Sequence, residues 1–270
     1  MNERSRLWDA SILVGGMLLA GLTMKSYRSF SAPEGSPNQN RISPQEAESV
    51  ISNAKSYLNS HPDDFNAWSQ LAIADFYKGP DTYADGLNAI DKARSLGATS
   101  ESFFYYAGVM YEALGLPDYA LNELTKYLRH HPDDYETQIR LANLLAQEKK
   151  YEDAYVLYKA LSEKWSNDPT LWFNFGVVSK EKGDLDGALA CFKKVLQIVP
   201  SFPEGGFYQE GEIARLKGSD DAAIPLYQQE LAAHPQYLPA LVALEAAQRR
   251  KNLWNDARET RKKMTDLKSK

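Results

Sequence analysis

Hydrophobic and polar positions change their pattern three times along the chain. Residues 10–24, "ASILVGGMLLAGLTM", form an apolar block with no charge. A membrane-spanning helix needs about 20 residues, and Trp8 and Tyr27 fall where the two interfaces would lie. Asp9 and Lys25 can snorkel to water from its ends. This block predicts an N-terminal signal anchor, a transmembrane helix within 1–28. A cleaved signal peptide competes, since its apolar region runs to about 7–15 residues. "SFSA" at 29–32 is a poor cleavage site, however, and Glu3 and Asp9 do not suit the leading segment of such a peptide. A buried N-terminal core helix is a third reading. Residues 29–43 are rich in Ser, Pro, Asn and Gly and lack apolar periodicity, which predicts a flexible tether. "SPQE" at 43–46 then carries a helix-start signature: Ser43 as cap, Pro44 in the first turn and Glu46 closing a capping box. It predicts a packing helix over 44–62.

From residue 65 onward small and large residues recur with a period of about 34. Pro62, Pro132, Pro200 and Pro235 are spaced by near multiples of it. With these prolines at position 32, six repeats cover 65–100, 101–134, 135–168, 169–203, 204–237 and 238–270. Position 20 reads Gly86, Ala120, Ala154, Ala188, Ala223 and Ala257. Position 8 is small except for Glu245, and position 24 is large and apolar or aromatic except for Arg261. Position 4 is mostly bulky: Trp68, Phe104, Gln138, Trp172, Phe207 and Leu241. Position 15 reads Gly115, Lys149, Gly183, Gly218 and Asn252. The physical content is close packing of paired helices. Small residues let two backbones approach, large ones fill the flanks, and glycine takes the left-handed turn between them. Proline ends the second helix because it cannot extend the hydrogen-bond ladder.

"FYYAGVMY" with Ala120, Leu124 and Pro132, and "WFNFGVVS" with Ala188, Phe192 and Pro200, resemble the tetratricopeptide repeat (TPR) family. The resemblance implies an all-α, right-handed α-solenoid of TPR helix pairs, here preceded by the transmembrane helix. Three departures stand out. Ser166 replaces the proline of the third repeat. Pro225 falls early in a second helix and calls for a late start or a kink. Glu245 and Arg261 occupy normally apolar positions, as a wetted terminal cap would require.

Composition adds limits. The chain has 270 residues, 43% hydrophobic and 25% charged, with net charge −5. That balance gives no broad basic surface for nucleic acid. "HPDD" occurs at 61–64 and at 131–134 and looks like half of a metal site. Its place at repeat boundaries reads instead as punctuation: proline stops one helix and an aspartate caps the next. His61, His131 and His234 share position 31 and are too far apart to ligate one ion. The single cysteine, Cys191, sits beside core Phe192 with no histidine in register, as a packed thiol would. No phosphate loop, CxxC, HExxH or nucleophile elbow is present. No enzyme and no cofactor are expected.

The TPR resemblance implies that the first helices line a concave, peptide-binding face. The residues it places there include Tyr105, Tyr106, Arg140, Asn143, Phe173, Asn174, Tyr208 and Gln209. Asn143 and Asn174 match an asparagine pair of peptide-binding members. A primary amide holds a peptide bond through a donor and an acceptor together. The alternative role for both is hydrogen bonding between neighbouring repeats. Arg140 can fork onto a carboxylate, and tyrosines bury area while keeping a hydroxyl wet. The carboxylate clamp of chaperone-binding relatives is not met, because Ile139 stands where it needs lysine and Gly205 and Gln209 stand where its last basic residues would be. The resulting expectation is a membrane-anchored TPR adaptor, similar in layout to membrane-tethered TPR assembly proteins. It would hold a protein or peptide partner, engage the membrane through its N-terminal helix, and place its repeats on the extracytoplasmic side. A self-associating scaffold and a secreted carrier released by cleavage are the alternatives.

Overall fold

The computed structural model describes residues 42–199 and 205–268, and all regular elements among them are helical. They form two compact units that divide between Lys150 and Tyr151. The N-terminal unit contains α1 (Pro44–Leu58), α2 (Phe65–Lys78), α3 (Tyr83–Ser95), α4 (Ser102–Ala113), α5 (Pro117–His130) and α6 (Tyr135–Gln147). Successive helices pack together and α2 also touches α4. One layer therefore holds α2, α4 and α6, and the other holds α1, α3 and α5. The C-terminal unit contains α7 (Tyr151–Lys164), α8 (Pro169–Glu181), α9 (Leu185–Ile198), α10 (Gly206–Leu216), α11 (Asp220–Ala233), α12 (Leu238–Arg250) and α13 (Trp254–Lys268). There α10 touches α12, so α8, α10 and α12 form one layer against α7, α9, α11 and α13.

Glycine at position 8 is a seat for the large residue at position 24. A Cβ on Gly108 would lie 2.6 Å from Leu124, one on Gly176 2.8 Å from Phe192, and one on Gly211 2.5 Å from Tyr227. All three distances are shorter than real carbon contacts, so a side chain there would push the helices apart. In the last pair the same slot holds charges: Arg261 donates to the Glu245 carboxylate. The turn residues Gly115, Lys149, Gly183, Gly218 and Asn252 have φ of 71°, 58°, 90°, 82° and 61°. Each is in the left-handed region that closes a helix. The first pair differs, since its two-residue insertion folds into one 3-10 turn, Pro80–Thr82. Thr82 Oγ1 donates to the Asp75 carbonyl at 2.7 Å and anchors that turn.

The helix starts follow the sequence closely. Ser43 and Glu46 exchange hydrogen bonds as a capping box on α1. Asp64, Asp134 and Asp168 cap α2, α6 and α8 through Oδ1. Position 4 adds a bond absent from the sequence reading. Trp68 and Trp172 donate their indole N–H to the carbonyls of Pro62 and Ser166, each at 2.8 Å. Gln138 donates its amide to the Pro132 carbonyl. A glutamine thus replaces tryptophan because both offer an N–H at the same reach. α11 neither starts late nor breaks at Pro225 but runs straight through it. Pro225 and Asp221, whose carbonyl loses a partner, are both exposed, so that carbonyl is open to hydration by solvent.

The membrane expectation does not stand. Among the described residues no helix is long and apolar enough to cross a membrane. The longest have 15 residues and reach about 22 Å, against roughly 30 Å of hydrocarbon. The span expected over 1–28, and residues 29–41 of the tether, lie outside the described residues. The transmembrane part of the fold class, the membrane as partner, the single-pass extracytoplasmic location and the likeness to membrane-anchored adaptors are corrected together.

Candidate functional site

The "HPDD" motifs resolve into local structure. The His61 ring stacks on Tyr57 at 4.2 Å, and the His131 ring on Tyr127 at 4.5 Å. Asp64 is held below the usual carboxylate range, first by the N–H of Ala67 at the start of α2. Among the described residues no group of three or more His, Cys, Asp or Glu is placed to hold a metal ion. Cys191 is buried, and burial pushes its thiol up to about 12. At neutral pH it is a protonated packing group and not a nucleophile.

The first-helix residues divide by unit. In the N-terminal unit Tyr105 and Tyr106 on α4 are buried. Phe76 packs on them, its ring 4.7 Å from that of Tyr106 and 6.2 Å from that of Tyr105. The Tyr105 hydroxyl donates to Glu136 at 3.3 Å. Arg140 on α6 is half-buried and does not stand open: its Nη1 donates to Glu112 Oε2 at 2.8 Å. Asn143, one turn along α6, is half-buried.

In the C-terminal unit Phe173 is buried edge-on against Phe192, with ring centroids 5.5 Å apart. Asn174 is also buried, with its amide hydrogen-bonded to the Tyr158 hydroxyl. Tyr208 is half-buried, 5.6 Å from the Tyr237 ring. Gln209 is buried and its Oε1 accepts from Lys180 Nζ at 2.8 Å. Burial pushes the Lys180 ammonium below its ordinary pKa. Glu212 is held bidentately by Arg215 and accepts from the Tyr227 hydroxyl at 2.6 Å. Five of the eight sequence-derived residues thus pack inside their units, while Arg140, Asn143 and Tyr208 keep partial access to solvent.

A rule the sequence reading missed links these contacts. Position 12 of one repeat reaches position 6 of the next, as Glu112 to Arg140 and as Lys180 to Gln209. Complementary polar residues 28 or 29 apart were the available signal. Two further buried carboxylates were also missed. Glu230 on α11 accepts from the N–H groups of Gly205 and Tyr208 at 2.8 and 3.2 Å and pairs with His234. It caps α10 from a neighbouring helix. Asp75 on α2 is fully buried, and neither of its carboxylate oxygens has a hydrogen-bond partner among the described residues. Burial pushes it up to about 6.

Paired helices, glycine seats and left-handed turns define a TPR-type helical repeat protein. Residues 38–205 match the coatomer epsilon subunit family, and the chain belongs to that family. Protein FlbA of Caulobacter vibrioides is 28% identical over 159 residues, which is 58% of this chain and 26% of FlbA. The chain therefore spans about a quarter of that relative's length. Among solved structures, YrrB superposes with a TM-score of 0.59 at 22% identity, covering 70% of this chain and 96% of YrrB. MamA gives 0.57 at 18%, covering 63% and 92%. A tetratricopeptide repeat protein from Parabacteroides merdae gives 0.56 at 14%, covering 83% and 87%. These likenesses show the fold. His61 and His131 are engaged in ring stacking, His234 pairs with Glu230, and the Cys191 thiol is buried in packing.

Proposed function

We propose that the chain is a helix-repeat scaffold that binds a peptide or protein partner along its first-layer helices. Its six repeats are those counted from residues 65, 101, 135, 169, 204 and 238. In the N-terminal unit Arg140 and Asn143 make the contact and Tyr105 and Tyr106 hold the surface in shape; in the C-terminal unit Tyr208 makes it, and Phe173, Asn174 and Gln209 hold the surface. The observation that carries this reading is the partial exposure of polar and aromatic side chains on helices whose other faces are packed. A partly exposed amide such as that of Asn143 suits recognition of a backbone in extended form. YrrB, similar in fold, is a TPR protein with an unusual peptide-binding site. The family is named for a subunit of a larger coat, which agrees with a role in assembly.

A photoreactive residue placed in the full chain at Asn143 or at Tyr208 tests the proposal. Crosslinked partner is expected from both positions and not from Lys159, an exposed residue of the second layer. Equal yield from Lys159 would remove the first-layer face from the function.

A further inference from the structure

The first-layer helices of the C-terminal unit differ from those of the N-terminal unit at position 12. Lys180, Arg215 and Arg249 occupy it on α8, α10 and α12, where Phe76, Glu112 and Ala146 stand on α2, α4 and α6. The rule by which position 12 reaches position 6 of the next repeat brings Lys180 and Arg215 no carboxylate, since that position holds Gln209 and Ala243. Lys180 meets the neutral amide of Gln209, with the Glu181 carboxylate of its own helix 3.8 Å away and Glu212 acting on it at longer range. Arg215 would face Ala243, which has nothing to offer, and it folds back onto Glu212 of its own helix. Arg249 is exposed and forms no ion pair among the described residues. Its neighbour Arg250 is held by Asp220 and adds no free charge.

Position 5 lies two turns before position 12 and on the same stripe. Here it supplies half-buried Tyr208 and Val242, which is 52% exposed. Leu216, beside Arg215, is 48% exposed. The surface therefore joins a row of cations to a row of apolar groups.

We propose that this face docks an acidic segment in polyproline-type conformation, with a carboxylate at every third residue. The inference rests on the scaffold reading above and names its ligand. Packed helices lie about 8–10 Å apart. A polyproline helix advances about 9 Å per three-residue turn, so its i, i+3 and i+6 side chains meet successive cations. Its apolar residues then lie against Tyr208, Val242 and Leu216, as such segments do on aromatic surfaces. Lys180 gains most, because a desolvated ammonium beside a neutral amide is relieved by an incoming carboxylate. The chain's net charge of −5 works against a polyanion of higher charge density, such as RNA.

Fluorescence anisotropy of a labelled peptide of Glu-Pro-Pro triplets, titrated with the full chain, tests this. Saturable binding is expected, weakened about threefold by Arg249→Ala and about tenfold by Arg249→Glu, and declining with salt. Arg249 is exposed and forms no ion pair among the described residues, so both variants should melt like the parent, which the same samples establish. Equal affinity for Gln-Pro-Pro triplets, or for a single-stranded oligonucleotide, would overturn the assignment, as would unchanged binding in both variants. No binding of the acidic peptide together with crosslinks at Asn143 and Tyr208 removes this inference and leaves the scaffold. Absence of both removes the two readings together.

Discussion

The fifth and sixth helix pairs solve one packing problem in opposite ways. In the fifth, Gly211 makes a seat and the fully buried Tyr227 ring fills it. In the sixth, the same two positions hold Glu245 and Arg261, joined as an ion pair with Arg261 largely in water. An interior pair is covered by neighbours on both sides, so dispersion and burial hold it. The last described pair has a neighbour on one side only, so a seat built from charge keeps its outer surface wet. Repeat packing is thus adjusted at one contact without changing the helix geometry around it.

That contrast can be broken most sharply at the aromatic. Tyr227→Ala should cost about 3–5 kcal/mol in urea unfolding, because it empties a closed seat and strips a hydrogen bond from Glu212. A loss below 1 kcal/mol would mean that the glycine seats are incidental.

Asp75 extends the contrast to a buried carboxylate with no hydrogen-bond partner among the described residues. Lys55 and Glu48 from α1, Lys78 from α2 and Asp85 from α3 surround it and largely cancel, so burial dominates. Its folded pKa is raised from 3.8 to about 6. The folded state therefore holds its proton more tightly than the unfolded state does. Stability from this group is complete below pH 3.8 and is lost as pH rises through 6. Asp75→Asn should match the parent near pH 4 and be more stable by about 1–3 kcal/mol at pH 7. Parallel stability–pH curves for the two proteins would refute this.

Lys149 is the turn residue that departs from glycine and asparagine, and its left-handed backbone is strained. Lys149→Gly should raise stability by about 0.5–1 kcal/mol, relief of strain outweighing the added freedom of the unfolded chain. The smallest effect is expected at the polar seat. A double-mutant cycle of Glu245→Gln with Arg261→Gln should give a coupling below about 1 kcal/mol that shrinks in salt.

Much of the fold was legible because its determinants are periodic. Position 20 fixed the helix pairing, the second aspartate of each "HPDD" fixed the caps, and position 15 fixed the turns. The face was less legible, for a physical reason. Tyr105 and Asn143 lie on the same kind of stripe, and periodicity cannot tell whether a stripe is covered by the neighbouring helix. Tyr105 is covered and Asn143 partly open. Contacts such as Arg140 with Glu112 need the offset between successive repeats, which no single helix encodes. The apolar block at 10–24 looked like a membrane span from local hydropathy alone, and no described helix has that length or character.

Glu230 ties the beginning of one helix to the last turn of another. The amide hydrogens of Gly205 and Tyr208, which at an ordinary helix start would be traded with deuterium within moments, are clasped by a carboxylate anchored in α11. They should stay protected until α11 itself opens, so α10 cannot fray alone. Isotope labelling would then find the two helices unzipping as one cooperative block.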